Sequence, residues 1–135
     1  YSKLNEGNYL NSKKIKIKRS NSMTEAIGSI STKYWDINLD NKIKILKNNF
    51  KKIDHYGSIG CEYIDIVLGK RDFTILSKLS PWDHLPGILM VREAGGYDSH
   101  FDGYRYIFNQ ISKNLIVSSS KNLNNEIINK IKEIK

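Results

Sequence analysis

Apolar residues recur along this chain at helical spacing, interrupted by short continuous apolar runs, and the alternation predicts helices covering a sheet. At the start, Ile15 and Ile17 alternate with lysines, and Glu6-Gly7-Asn8-Tyr9-Leu10-Asn11 has the make-up of a tight turn or hairpin. Ser22 and Glu25 have capping-box spacing, yet Ala26-Ile27-Gly28-Ser29-Ile30 is poor helix material, so residues 23–31 are expected to form a strand. Asp40 is placed to cap a helix reaching about Lys51, with Ile43, Leu46 and Phe50 on one face. A short extended piece from Ile53 to Tyr56 leads to Gly57-Ser58, where Ser58 can cap a helix bearing Ile59, Tyr63, Ile66 and Val67 and stopped by Gly69. Asp72 to Leu76, Tyr104 to Phe108 and Leu115 to Val117 read as strands. Ser120 caps a last helix carrying Leu123, Ile127, Ile131 and Ile134.

The densest chemistry lies in Pro81-Trp82-Asp83-His84-Leu85-Pro86-Gly87 and in Arg92-Glu93-Ala94-Gly95-Gly96. Pro86 has no N–H and fits best in a first helical turn, which predicts a helix beginning near Trp82 or Asp83. Leu85, Ile88, Leu89 and Val91 supply its buried face, and Gly95-Gly96 stop it. Asp83 then sits where unpaired N–H groups and the helix dipole favour an anion. On the residues alone, Asp83 is either a plain N-cap or a functional acid. Gly57 and Ser58 are open to the same pair of readings, a turn with an N-cap or a polar contact to a ligand.

A length of 135 residues suits about one domain. The net charge of +8 raises the question of nucleic acid, but 18 of the 22 basic residues are lysines scattered through Asn- and Ile-rich sequence. Lys13 to Lys18 and Lys42 to Lys52 have apolar residues between the charges, as half-buried elements with solvated lysine faces would. No nucleic-acid partner is expected. No apolar run is long enough to span a bilayer, so no membrane association is expected either. The single cysteine, Cys61, allows no internal disulfide, fits a cytoplasmic setting, and falls in an apolar pattern that predicts a core position. Tyr1 opens directly into polar sequence, with no signal-peptide pattern and no initiator Met, which suggests a fragment or a trimmed product.

Trp82-Asp83 followed by Gly87 and Glu93-Ala94-Gly95-Gly96 resembles the signature of the inositol monophosphatase family of Mg²⁺-dependent phosphatases. Gly57-Ser58 with Gly69-Lys70-Arg71-Asp72 is similar to the family's Gly-Ser-Ala…Gly-Arg-x-Asp block, and the Glu6–Asn11 segment to its hairpin. The resemblance implies an α/β fold, the layered helix–sheet–helix C-terminal domain of such an enzyme. Residues 1–20 would then be the end of an N-terminal domain and residues 21–135 the C-terminal α/β domain. It further implies that Asp83 ligates Mg²⁺ and serves catalysis, that Gly57 and Ser58 contact substrate, and that the substrate is a small phosphorylated metabolite. A homodimer is an option for the full-length protein.

The departures matter as well. The family's other metal ligands, a glutamate and an Asp-Pro-x-Asp-Gly-Thr loop, have no match in these residues. Leu76 stands where a glutamate often binds an inositol hydroxyl, which speaks against inositol phosphate as substrate, and Ile59 replaces a small residue after Gly-Ser. His84 is expected to be a structural histidine paired to backbone, with contact to the metal shell or phosphate as the alternative. Trp82 is expected to anchor the core and Glu93 to be a structural acid. Asp98, His100 and Asp102 are expected in one solvated loop, and His55 has no convergent partner in sequence. Two readings follow: the C-terminal part of a Mg²⁺-dependent phosphomonoesterase, or an inactive remnant or interaction module of the same fold.

Overall fold

A computed structural model describes residues 2–3, 7–10, 13–17, 22–33, 35–54, 59–77, 81–107 and 114–134, with backbone alone described for residues 2–3, 7–10, 13–15 and 81–83. Three short strands open the chain, β1 (Ser2–Lys3), β2 (Gly7–Leu10) and β3 (Lys13–Ile15), in an antiparallel sheet of that order. Gly7 to Leu10 is a strand of this antiparallel sheet, in line with the hairpin alternative expected for Glu6–Asn11 and not with the tight turn. Just after this sheet, the Ile17 N–H donates to the Ala94 carbonyl at 2.8 Å, tying it to the chain that follows the Trp-Asp helix.

The second sheet has five strands in the order β5-β4-β6-β8-β7. They are β4 (Ile27–Ile30), β5 (Lys52–Ile53), β6 (Phe73–Leu76), β7 (Tyr97–Ser99) and β8 (Leu115–Ser118). β4 runs parallel to β5 and β6, while β8 is antiparallel to both β6 and β7. β6 and β8 are buried along their whole length, which is why they appear as unbroken apolar runs. Side chains alternate between the faces. Ile116 joins a core with Leu46, Ile127 and Ile131, whereas Leu115 and Val117 join Ile66, Ile88 and Val91 on the other side.

Four helices make the outer layers: α1 (Ile37–Leu46), α2 (Ile59–Val67), α3 (Pro81–Glu93) and α4 (Lys121–Glu133). α1 and α4 cover one face of the sheet, α2 and α3 the other, giving the expected helix–sheet–helix α/β layering. α4 is as the sequence predicts: the Ser120 hydroxyl accepts from the Leu123 N–H, and Leu123, Ile127, Ile131 and Ile134 are all buried. α1 starts earlier than expected. Asp36, not Asp40, is its N-cap and accepts from the Leu39 N–H, while Asp40 lies in the first turn and pairs with Lys44. The helix ends at Leu46 and tightens into a 3₁₀ turn over Lys47–Asn49, which still delivers Phe50 to the core against Phe73. Residues 23–31 divide into a 3₁₀ turn at Met23–Glu25, which the Ser22 side chain does not cap, and β4, the strand expected.

Two elements were misread from sequence. The strand at the C-terminal edge is Tyr97–Ser99, and residues 104–107 have no regular structure. Cys61 is exposed on α2, on the side away from Tyr63 and Ile66.

Candidate functional site

The parallel strands decide where a site can form. β4, β5 and β6 point the same way, so the connections leaving β4, leaving β5 toward α2, and leaving β6 toward α3 depart from one carboxyl edge. In α/β sheets this edge is where ligands bind. Two of the connections are knitted together. The Ser31 N–H donates to the Ile75 carbonyl at 2.9 Å, the Ser77 hydroxyl to the Lys33 carbonyl at 2.6 Å, and the Trp35 indole to the Ser31 carbonyl at 2.6 Å. Trp35 also stacks on Phe101. Gly57 and Ser58, in the connection from β5 to α2, lie outside the described residues, as does His55.

Asp83 is the third residue of α3 and not its N-cap. It nonetheless lies in the first turn, where the helix dipole and unpaired N–H groups favour negative charge. Pro86 lies deeper in the helix than expected, as its sixth residue, and leaves the Trp82 carbonyl without the usual intrahelical donor. The side chains of Trp82 and Asp83 are outside the described set.

The next residue is held tightly. His84 is buried, and its Nδ1 lies 2.9 Å from the Tyr63 hydroxyl, with the two rings edge to face. One partner of the ring is thus a side chain on α2. Burial pushes the Tyr63 phenol well above its ordinary value, with the Glu62 charge adding to the shift, so Tyr63 keeps its proton. This is the only hydrogen bond of that hydroxyl among the described residues, and a buried O–H left undonated is costly, so Tyr63 donates and His84 accepts at Nδ1. One turn on, Gly87 lies directly against the same ring: a Cβ there would overlap Tyr63 Cδ2. Gly87→Ala is therefore expected to destabilise the protein by about 2 kcal/mol through overpacking, read as a lower denaturation midpoint.

Other residues have structural roles. Leu76 is buried among apolar side chains of α2, α3 and β8, so the end of β6 offers no acceptor at that position. Asp72 is fully buried; its carboxylate accepts from the Ile27 N–H at 2.8 Å and its carbonyl from the Ser119 N–H. Arg71, also buried, lies between Asp65 and Asp54. Of the solvated loop expected around Asp98, His100 and Asp102, the turn at residues 101–103 is present and Asp102 is exposed in it, but Asp98 is not part of it. Asp98 is fully buried on β7 and takes a fork from Arg92, with Nε to Oδ1 at 2.6 Å and Nη2 to Oδ2 at 2.8 Å. Those hydrogen bonds raise the Arg92 guanidinium above its ordinary value. His100 Nδ1 is 2.8 Å from the Asn114 carbonyl, and Asp102 accepts from the Tyr104 N–H as a turn residue does. Glu93 ends α3.

A hard divalent cation takes several oxygen ligands. Asp83 has the chemistry and the location to offer one of them. Among the described residues no group of three His, Cys, Asp or Glu could complete such a set. No described helix is long and apolar enough to cross a membrane.

A layered α/β domain with three parallel strands ending at one edge belongs to the class of folds in which ligands bind at that edge. The chain belongs to the inositol monophosphatase family, whose sequence profile it matches over residues 1–135. It is 27% identical to the fructose-1,6-bisphosphatase/inositol-1-monophosphatase of Thermotoga maritima over 134 residues, 99% of this chain and 50% of that protein. It is 27% identical to the inositol-1-monophosphatase of Bacillus subtilis over 105 residues, 76% of this chain and 40% of that protein. In structure it is similar to SaIMPase-II of Staphylococcus aureus bound to inositol monophosphate, with a TM-score of 0.85, 23% identity, and cover of 98% of this chain and 51% of the other. The chain spans about half the length, or less, of the curated relatives it matches.

The sequence reading missed Tyr63 as a partner of the Trp-Asp motif. The two are 21 residues apart on different helices, and Tyr63 appeared only as one of an apolar stripe. Gly87 was the available signal, since a glycine inside a helix points to something large pressed against it.

Proposed function

We propose that this chain is the C-terminal part of a Mg²⁺-dependent phosphatase that hydrolyses a small phosphate monoester in the cytoplasm, with residues 1–20 completing an N-terminal domain. The observation that carries this reading is Asp83 in the first turn of α3, at the carboxyl edge, within a chain matching the family along its whole length. Asp83 contributes one hard oxygen ligand, and the helix N-terminus behind it favours phosphate. When bound, the metal supplies charge stabilisation for an in-line displacement and an activated water. Gly57 and Ser58, just ahead of α2, contact the hydroxyl groups of the substrate. The apolar setting of Leu76 favours a sugar or nucleotide phosphate over an inositol phosphate.

The test is a phosphate-release assay of the full-length protein and of the 135-residue chain, with inositol, sugar and nucleotide monophosphates, with and without Mg²⁺. Mg²⁺-dependent turnover is expected from the full-length protein and none from the 135-residue chain, because one carboxylate does not hold a metal pair. Failure of the full-length protein on every substrate would favour the inactive-remnant reading.

A further inference from the structure

Two residues of α3, His84 and Gly87, are one turn apart and so share a face, and both meet the same residue of α2. Tyr63 is 1% exposed, with its ring against Gly87 and its hydroxyl on His84 Nδ1. These contacts differ in kind. The ring against Gly87 sets how closely the helices approach, since any side chain at that position would push them apart. The hydrogen bond to His84 sets the rotation of α3 about its axis, because it holds only while Nδ1 faces the phenol. Distance and rotation together fix where the backbone of the first turn presents Asp83, the residue beside His84. Pro86 makes this restraint more useful. It removes the N–H that would bond the Trp82 carbonyl, so the helix's own ladder is weaker in this turn.

We infer that Tyr63 is a positioning residue that, through His84, holds the first turn of α3 so that Asp83 meets its ligand in a fixed direction. This rests on the reading of Asp83 as a site carboxylate. Tyr63 itself does not touch substrate. It acts as partners behind a metal ligand do, by orienting a residue that would otherwise sample several directions. The phenol suits the role because, buried as it is, it stays a donor throughout the physiological pH range.

The experiment uses the full-length protein and two readouts: binding of Mn²⁺ alone by calorimetry, and phosphatase rate against Mg²⁺ concentration. Tyr63→Phe keeps the ring on Gly87 and removes only the donor. It is expected to weaken Mn²⁺ binding about tenfold and to raise the Mg²⁺ concentration for half-maximal rate by a similar factor. His84→Leu is expected to match it. His84→Asn, whose amide oxygen stands near the place of Nδ1 and can accept from Tyr63, is expected to stay close to wild type. A purely structural role would lower the melting temperature of Tyr63→Phe and leave its Mn²⁺ affinity unchanged; that result overturns the inference. Should Tyr63→Phe fold poorly, the His84 pair decides: equal Mn²⁺ affinities for His84→Leu and His84→Asn also overturn it. A wild type that binds Mn²⁺ but hydrolyses nothing refutes the phosphatase reading, and the positioning role is then judged on Mn²⁺ affinity. A wild type that binds no Mn²⁺ overturns both.

Discussion

Asp83→Asn in the full-length protein is expected to abolish nearly all phosphatase activity while leaving the fold intact. Asn preserves the size of the side chain and one oxygen, but loses the negative charge through which a carboxylate holds a hard cation. The cost to stability is expected to be small, because Asp83 is the third residue of α3 and not its N-cap. What is lost is the favourable interaction of one charge with the helix dipole, about 0.5 kcal/mol. Asp83→Ala should therefore resemble Asp83→Asn in stability, whereas an N-cap would separate the two, since Asn caps a helix well and Ala poorly. The decisive measurement is rate against Mg²⁺ concentration for wild type and Asp83→Asn. Coincident curves would remove Asp83 from the site and take with them the main support for the proposed activity.

The largest loss of stability is expected from Asp98→Ala, about 3 kcal/mol. Asp98 is fully buried and gathers the Arg92 fork, an Arg105 Nη2 contact at 3.2 Å and the Tyr106 N–H at 3.1 Å. Removing the carboxylate strands a partly buried guanidinium and a buried backbone donor together. The effect is structural: Arg92 lies in the last turn of α3, so this knot ties the end of the Trp-Asp helix to β7 and to the chain around Tyr106, whose carbonyl also accepts from Arg92. Urea denaturation would measure it. A shift in free energy below about 1 kcal/mol, the range of exposed pairs, would show that solvent takes over the role of the carboxylate.

Most of the helices could be foreseen because their rules are local. Ser120 caps α4, and Leu123, Ile127, Ile131 and Ile134 repeat at helical spacing, so one stretch of chain carries both the start and the buried face. The same holds for Gly69, whose φ of 79° ends the turn after α2, and for Gly95 at 95° after α3. β6 and β8 were legible because burial on both faces leaves an unbroken apolar run. Errors arose where a distant partner decides the outcome. Tyr97-Asp98-Ser99 looks like a polar loop, yet it pairs with β8, and its one charge is neutralised by arginines from other segments. Cys61 has the composition of a core residue, but the face of α2 turned to the sheet belongs to Tyr63, Ile66 and Val67. Asp36 and Asp40 both satisfy the local rule for a cap, and the sequence alone does not choose between them; in the structure Asp36 accepts from the Leu39 N–H.

The sequence by itself determined the helix that carries Asp83, its glycine stop, and the alternation of strands and helices that makes a layered α/β domain. Those features depend on residues within a few positions of one another. The tertiary structure decided that the connections leaving β4, β5 and β6 share one edge, that Tyr63 of α2 grips His84 and Gly87 of α3, and that Asp98 is buried. The physical reason is that a hydrogen bond or a close approach between segments depends on strand order and helix distance, and these are set by how the apolar faces of the whole chain pack against the sheet.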